Sequence, residues 1–207
     1  MRYTGPVCKL CRREQNKLFL KGDKCYVKCT LDKRSTPPGA ARPQRGKPSA
    51  YAVRLREKQK LRRFVSVAEK PFKRLVEAAA KSPEASGDHL LRALELRLDN
   101  VVRRMGLATS LKQARQLVRH GHVKVSGRMV SIPSCNVEVG DVVALDQRYR
   151  DNVGVKLSLE TAKRLNQRPS YLDCNESELS AKVVRLPERA EMSFPVNEQL
   201  IIEYYSK

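Results

Sequence analysis

The stretch Ser110–Ile132 leaves this chain fewer ways to fold than any other part of it. Ser110 with Gln113 three residues later is the pattern of a capped helix start, and apolar residues recur behind it at helical spacing. A helix end is predicted at Gly121, because glycine adopts the left-handed C′ conformation at little cost. The pair Ser126-Gly127 then separates short alternating apolar runs, which predicts a tight hairpin turn.

Polar and cationic residues gather on one side of this helix and hairpin. At about 100° per residue, helix positions outside the apolar stripe fall together on the other face. We call the set the cationic ledge, and it suits a phosphate backbone, although its two histidines fit polar RNA contacts or plain surface equally well. The ledge comprises Lys112, Arg115, Gln116, Arg119, His120, His122, Lys124 and Arg128.

The charge of the chain points to a polyanionic partner. The 207 residues carry a net charge of +20, from 42 Lys or Arg against 22 Asp or Glu. Residues 1–75 hold 22 Lys or Arg and 5 Asp or Glu, hence +17, whereas residues 76–207 hold 20 and 17, hence +3. An excess of this size favours nucleic acid as the partner.

Neither a membrane nor a secretory role is indicated. No stretch approaches the ~20 apolar residues of a membrane span, and Met1–Gly5 lacks the apolar core of a signal peptide. We therefore expect a cytoplasmic protein, in which disulfides are rare and the 6 cysteines need another explanation.

Four of the cysteines come in two close pairs, Cys8-x-x-Cys11 and Cys25-x-x-x-Cys29. Two such pairs joined by a short loop supply the soft ligands of a closed tetrahedral site, which predicts one structural Zn²⁺ ion. Four unrelated reduced thiols are the alternative. A redox Cys-x-x-Cys is disfavoured, because the βαβ context of such motifs is missing.

The segment Asp32–Pro48 is too rich in proline, glycine and cations for a regular helix or strand. A solvated linker would explain this composition. We favour a basic arm that becomes ordered on binding RNA, because free charge at this density suits such a contact.

Three helices are predicted between this arm and the cationic ledge. The first, Ser49–Phe64, carries so many like charges that it needs counter-charges from elsewhere. Ser66 with Glu69 has the pattern of a capping box that opens the second helix. The third runs over Gly87–Met105, with leucine and valine in its apolar stripe.

The last part of the chain is predicted to combine strands with one short helix. Val137–Leu145 has the pattern of two strands around a turn, and Ser158–Asn166 that of a helix. Further short strands are predicted at Tyr171-Leu172, Lys182–Leu186 and Leu200–Tyr205. Together with the helices before the ledge, they predict an α+β protein.

The tripeptide Arg97-Leu98-Asp99 invites an enzymatic interpretation, because Arg-Leu-Asp carries the catalytic carboxylate of RNA pseudouridine synthases. Here Leu98 belongs to the apolar stripe of the third helix, and no region is left over for a catalytic domain. We therefore expect a structural Arg–Asp pair on a helix surface and no catalytic residue.

A known RNA-binding pattern covers the ledge. Ala114–Gly127 matches A-x-x-L-[VI]-x-x-G-x-V-x-V-[NS]-G, the core of the S-four RNA-binding fold, position by position. The four-cysteine head, Arg54–Lys60, Leu94–Val102 and the closing Pro195–Lys207 extend the likeness. Over nearly its full length the chain resembles the bacterial-type ribosomal small-subunit protein four family, in its zinc-binding form.

This resemblance implies how the α+β chain is organised. We expect an N-terminal zinc knuckle and helical lobe, a C-terminal strand-containing segment, and an inserted S-four RNA-binding domain of helices packed on a small antiparallel sheet. The expected boundaries are 1–48 for the zinc knuckle and basic arm, 49–97 for the helical lobe completed by 168–207, 98–160 for the RNA-binding domain, and 161–207 for the C-terminal helix and strands.

The resemblance also implies partners. Family members are structural constituents of the small ribosomal subunit and bind a junction in the five-prime domain of its RNA as primary-assembly proteins. They adjoin other ribosomal proteins near the channel through which messenger RNA enters, and some repress their own messenger. We expect no small-molecule substrate. Beyond the ledge, the expected RNA-binding residues are Arg12, Arg13, Arg42, Arg45, Lys47, Arg54, Arg56, Lys58, Lys60, Arg62, Arg63, Arg103 and Arg104.

Three other functions fit parts of the sequence. An RNA-modifying enzyme of the pseudouridine synthase kind would need a further catalytic domain around its aspartate. A zinc-dependent DNA-binding regulator would bind duplex DNA sequence-specifically. A stalled-ribosome or heat-shock RNA-binding factor would be shorter and would lack the cysteine head.

Overall fold

The computed structural model describes residues 3–39, 47–165, 168–192 and 194–206. They form two compact units, one from the described parts of 1–91 and 193–207 and the other from those of 92–192. The α+β class is confirmed, and no helix in these ranges has the length and apolar character of a membrane span. The predicted arm residues Arg42 and Arg45 lie outside the described residues.

Among the described residues, most α-helices precede the first strand, one lies between the third and fourth strands, and one follows the last strand. The α-helices are α1 (Cys8–Glu14), α2 (Lys24–Val27), α3 (Thr30–Lys33), α4 (Ala50–Phe64), α5 (Glu69–Ala80), α6 (Ser86–Glu95), α7 (Leu98–Arg104), α8 (Leu111–Arg119), α9 (Val153–Leu165) and α10 (Glu198–Tyr205). The strands are β1 (Val123–Val125), β2 (Arg128–Met129), β3 (Val142–Leu145), β4 (Leu172–Asn175) and β5 (Ser180–Val183).

The first unit is built on α4, which begins where it was predicted. The Ser49 hydroxyl accepts a hydrogen bond from the Ala52 N–H at 3.2 Å and so caps the helix. Helix α10 packs against α4 and α5 and buries Ile201 completely. The predicted strand over Leu200–Tyr205 is therefore wrong, because burial of this apolar face overrides the β propensity of its isoleucines.

The predicted capping box at Ser66 is also wrong. Ser66 has a φ of 49°, so it lies in the left-handed turn that follows α4 rather than in a cap. Its hydroxyl donates to the Arg63 carbonyl oxygen at 3.4 Å, so it bonds to the end of α4 and not to the start of α5. Helix α5 starts after Ala68, which supplies no side-chain cap.

The second unit contains an antiparallel sheet in the order β2-β1-β3-β5-β4. The predicted hairpin is confirmed: Val125 pairs with Arg128, and the two residues between them, Ser126 and Gly127, have φ values of 46° and 83°. Positive φ at both positions defines a type I′ turn, whose twist matches that of paired strands. The antiparallel sheet of the S-four fold is confirmed with it.

The sheet extends further along the chain than expected. The segment 168–207 was expected to complete the helical lobe, and the RNA-binding domain was expected to end at 160. Instead β5 pairs with β3, aligning Val143 with Ala181, so β4 and β5 belong to the second unit. The physical reason is burial, because Ala181 and Val183 close the core under β3. Of the described residues in that segment, only 194–206 lie with the helical unit.

The predicted third helix is two helices, with a break at Arg97. The backbone of Arg97 is extended, with φ −65° and ψ 137°. Loop residues satisfy the groups that this break exposes: the Leu98 N–H donates to the Cys135 carbonyl at 2.8 Å, and the Val137 N–H donates to the Leu96 carbonyl at 2.9 Å. This contact occupies Val137 and replaces the first of the two strands predicted over Val137–Leu145.

A fully buried carboxylate, Glu95, holds the end of α6 in this break. The Asn100 amide donates to it at 2.8 Å, the Tyr171 hydroxyl donates at 3.0 Å, and the Arg104 Nε lies 2.6 Å away. Burial first, and then the neighbouring carboxylate, raise the pKa of Tyr171, so its hydroxyl stays a donor. The network therefore joins α6, α7 and the start of β4 within the second unit.

Gly106, which follows α7, offers a test of packing. Its φ is +86°, and an added Cβ would lie 2.6 Å from the Ala162 Cβ. Gly140 has a φ of +96° but open space around it, so Gly140→Ala isolates the backbone cost of about 1–2 kcal/mol. We expect Gly106→Ala to cost about 1–3 kcal/mol more in urea unfolding of the full chain. Equal costs would show that no clash exists.

Candidate nucleic-acid interface

The cationic ledge lies in the second unit, and α8 presents most of its helical part to solvent. The Ser110 hydroxyl accepts from the Gln113 N–H at 3.3 Å, as the capped start predicts. The apolar stripe of α8 packs into the core under the sheet. Gln116, Arg119 and His120 are exposed and Lys112 is half-buried, all on the predicted face.

Arg115 departs from this pattern, because its side chain is buried. Its Nε lies 2.6 Å from Oδ2 of Asp99, and Arg97 donates to both oxygens of the same carboxylate at 3.1 and 3.0 Å. All three side chains are less than 12 % exposed. Arg115 is thus committed to an internal ion triad and is not available to a phosphate. The Arg–Asp pair is structural, but it lies buried at the start of α7 rather than on a helix surface.

The hairpin and the turn after β3 complete the ledge. Arg128 is exposed on the outer strand β2, and the Lys124 Nζ lies 3.3 Å from Oδ1 of Asp146. Burial raises the pKa of Asp146, but the hydrogen bond and charge of Lys124, together with the nearby Arg148 charge, outweigh it and the net shift is downward. The His122 ring stacks on Tyr149 with centroids 3.9 Å apart. Tyr149 and the exposed Arg148 were missed, since a short 3-10 turn gives no periodic signal.

The two arginines predicted at the end of α7 differ in their surroundings. Arg104 is 8 % exposed and paired with Glu95, so it belongs to the core network and not to a surface. Arg103 is half-buried. The spacing of two adjacent arginines on a helix cannot reveal which of them faces a buried carboxylate.

In the first unit, α4 carries the predicted cations together with the counter-charges that it was expected to need. Each cation has a carboxylate partner among the described residues, and Lys58 is only 3 % exposed, so it is not a free phosphate ligand. Lys58 and Tyr205 hydrogen-bond to Glu69 and, against the effect of burial, lower its pKa. The pairs are Arg54 with Glu203, Arg56 and Arg63 with Glu14, Lys58 and Arg62 with Glu69, and Lys60 with Glu57.

Two of the arginines that were predicted to contact RNA, Arg12 and Arg13, make hydrogen bonds within the chain. Arg12 donates to the carbonyl oxygens of Thr36 and Pro37 at 2.8 and 3.3 Å, and Arg13 donates to that of Pro38 at 3.1 Å. Both arginines therefore hold the beginning of the arm against α1. Lys47, at the end of the arm, is exposed.

The four paired cysteines lie near one another around α1 and α2. Cys11 and Cys25 are buried, and Cys8 and Cys29 are half-buried. Burial raises the pKa of Cys11, and the charges of the other three thiols raise it further. The Lys21 N–H points at Cys25 Sγ at 3.4 Å. Even so, among the described residues there is no group of three His, Cys, Asp or Glu side chains that could hold a metal ion.

Comparison with known proteins decides the family. A family model described as "Ribosomal protein S4/S9 N-terminal domain" matches residues 2–95, and one described as "S4 domain" matches residues 96–143. The chain belongs to the ribosomal protein S4 family.

Relatives of this family match the chain from end to end. It is 50 % identical over 207 residues to the small ribosomal subunit protein uS4A of Symbiobacterium thermophilum, covering 100 % of this chain and 99 % of the relative. It is 49 % identical to the uS4 proteins of Thermodesulfovibrio yellowstonii and Thermus thermophilus, with the same coverage. The family-level resemblance seen in the sequence is therefore confirmed.

The contrast between Arg115 and Arg119 yields a prediction. Arg115→Ala leaves Asp99 buried with one partner fewer, so we expect a loss of about 2–4 kcal/mol in the free energy of unfolding. Arg119→Ala removes an exposed side chain and should change stability by less than about 0.5 kcal/mol while weakening RNA binding. Urea unfolding and a filter-binding assay measure the two effects. Equal stabilities for the two variants would contradict the assignment.

Proposed function

We propose that this protein is a structural constituent of the small ribosomal subunit that acts by binding ribosomal RNA, in the cytoplasmic ribosome. One observation carries the proposal: the chain matches small-subunit ribosomal proteins over its whole length. The exposed cations of the ledge support it, since a folded RNA offers phosphates along such a surface. The function needs no catalytic residue, and the aspartate that resembled one is part of the internal triad.

The proposed mechanism is neutralisation of phosphates by a surface that fits the RNA backbone. Structured RNA hides its base edges in a deep, narrow groove, so recognition rests largely on shape. The α4 cations would divide their charge between carboxylates and phosphates. Each unit contributes its own set of proposed contacts. In the first unit these are Arg12, Arg13, Lys47, Arg54, Arg56, Lys60, Arg62 and Arg63, and in the second they are Arg103, Lys112, Gln116, Arg119, His120, His122, Lys124 and Arg128.

Finer roles follow from the resemblance and are part of the same proposal. The RNA target is a junction in the five-prime domain, where the protein acts early in assembly beside neighbouring ribosomal proteins. Arg42, Arg45 and Lys47 of the arm would face messenger RNA near the channel through which it enters. Repression of the protein's own messenger would use the same RNA-binding surface.

Salt dependence tests the RNA-binding proposal. If six to ten phosphates are neutralised, affinity for a five-prime-domain transcript should fall roughly 10³- to 10⁵-fold between 50 and 200 mM salt. Arg128→Ala should reduce the slope of log affinity against log salt by about 0.7–0.9. Lys156→Ala, an exposed lysine paired with Asp151, is the matched control and should leave the slope unchanged. Tighter binding to duplex DNA at matched salt would overturn the proposal.

We also propose that the cysteine head holds one structural zinc ion. The donor set fits by its chemistry: four thiols, two of them buried, with a backbone N–H directed at one sulfur. Cys8, Cys11, Cys25 and Cys29 would be the ligands, brought into tetrahedral arrangement when the metal binds. Its contribution would be folding energy for a segment that has only a small core.

Zinc content provides the measurement. Elemental analysis of the full chain should give about one zinc per molecule, and Cys11→Ser should lose it and make the head sensitive to protease. Cys174→Ser, which changes a half-buried thiol of the second unit, should keep the metal. A metal-free wild-type protein whose cysteine segment resists protease would refute the zinc proposal and would leave the RNA-binding proposal unaffected.

A further inference from the structure

A cavity of about 140 Å³ opens beside the cationic ledge. Its floor is apolar, formed by Leu117 of α8 and Val155 of α9. Its rim is polar and comes from three places in the second unit: the end of α8, the residue before β1, and the turn between β3 and α9. The rim residues that matter here are Gln116, His120, His122, Tyr149 and Asn152.

The lining has the chemistry of a site for a neutral, planar, hydrogen-bonding group. None of the described residues that line the cavity is Lys or Arg, so the lining offers no cation to a phosphate. Amide, imidazole and phenol groups offer both donors and acceptors. The Gln113 amide is engaged with Thr109 and Ser158. Within the described part of the chain, no protein group pairs with the side-chain amide of Gln116 or the hydroxyl of Tyr149, so both can bond to a ligand.

Aromatic rings form one wall of this cavity. His122 lies flat on Tyr149, with an interplanar angle of 17° and centroids 3.9 Å apart. His120 meets His122 at its edge, with centroids 6.0 Å apart. Single-stranded RNA is recognised chiefly through unstacked bases that lie on such rings and bond to polar groups around them.

The position of the cavity relative to the phosphates fits the same ligand. Gln116 and Arg119 are three residues apart on α8, hence neighbours on its exposed face. A nucleotide whose phosphate lies at Arg119 therefore has its base within reach of Gln116 and the ring wall. A glutamine amide can bond twice to the N6 and N7 edge of adenine, which favours that base.

We propose that this cavity receives one unstacked nucleobase, from a bulge or loop, of the RNA bound at the ledge. The proposal rests on the RNA-binding function proposed above and adds a base-reading position to a surface otherwise made for phosphates. Base contacts of this kind supply sequence preference, whereas phosphate contacts fix register.

The test uses the full chain and a five-prime-domain transcript of small-subunit ribosomal RNA. Gln116→Ala and His122→Ala are compared with Gln147→Ala, which removes an exposed glutamine that does not line the cavity. Affinity is measured across a salt series, and urea unfolding checks that each variant is folded. Probing of the saturated complexes with dimethyl sulfate, which reacts at adenine N1 and cytosine N3, and with diethyl pyrocarbonate, which reacts at purine N7, reports which bases are covered.

We expect Gln116→Ala and His122→Ala to weaken binding roughly 5- to 150-fold, because a base contact is lost. The salt slope should not change for Gln116→Ala, because glutamine neutralises no phosphate. One base protected by the wild type should become reactive in both variants and stay protected with Gln147→Ala. If His122→Ala fails to fold, the exposed Gln116 variant still decides.

Two results would overturn the base site. In the first, Gln116→Ala binds like Gln147→Ala at every salt concentration and no single base changes its reactivity. In the second, Gln116→Ala weakens binding but no single base changes its reactivity, which would assign the residue to the sugar–phosphate backbone. Both leave the proposed function intact, since the wild type still binds the transcript. Failure of the wild type itself to bind would instead refute the proposed function.

Discussion

A carboxylate buried at the start of α7 fixes the geometry of the RNA-binding unit. Asp99 is fully buried, and its charge is tolerated because Arg97 and Arg115 lie against it. An unpartnered carboxylate in such a position would cost several kcal/mol. Helix α8 must therefore lie where Arg115 reaches Asp99, and this requirement determines how Gln116 and Arg119 face solvent.

Ion pairing inside the protein also decides how much of its charge RNA can use. The net charge is +20, yet the α4 cations are shared with Glu14, Glu69 and Glu203, and Lys58 is buried. Exposed cations also lie in the segment of the paired cysteines, at Lys21, Lys24, Lys28 and Lys33. We propose that the ledge orients the bound RNA and that the cations of the cysteine segment contribute chiefly to electrostatic attraction.

Local signals in the sequence predicted local structure well. Three local features depend on backbone conformations that only a few residue types favour, so those residue types predict them. They are the cap at Ser110, the helix end at Gly121 and the type I′ turn at Ser126-Gly127. Periodicity likewise placed the buried and exposed faces of α8. The family followed from several such motifs in a fixed order.

Long-range pairing was beyond the reach of these signals. A helical wheel puts Arg115 with Arg119, but a buried carboxylate sixteen residues away draws one of the two inside. The isoleucines of α10 have the composition of a strand, and only the apolar surface of α4 makes them a helix. The pairing of β5 with β3 joins segments more than thirty residues apart, so no window of sequence contains it. The cavity was missed for the same reason, since α8 and the turn at Tyr149 meet only in the folded unit.

The outer strands of the sheet have a consequence for the protein before it meets RNA. One outer strand, β2, is two residues long and carries Arg128, and the other, β4, presents Asp173 and Asn175 to solvent. Long apolar outer strands act as templates on which other chains add, whereas short and polar ones do not. With these strands at its edges, the sheet offers a second copy of the chain little backbone on which to add a strand.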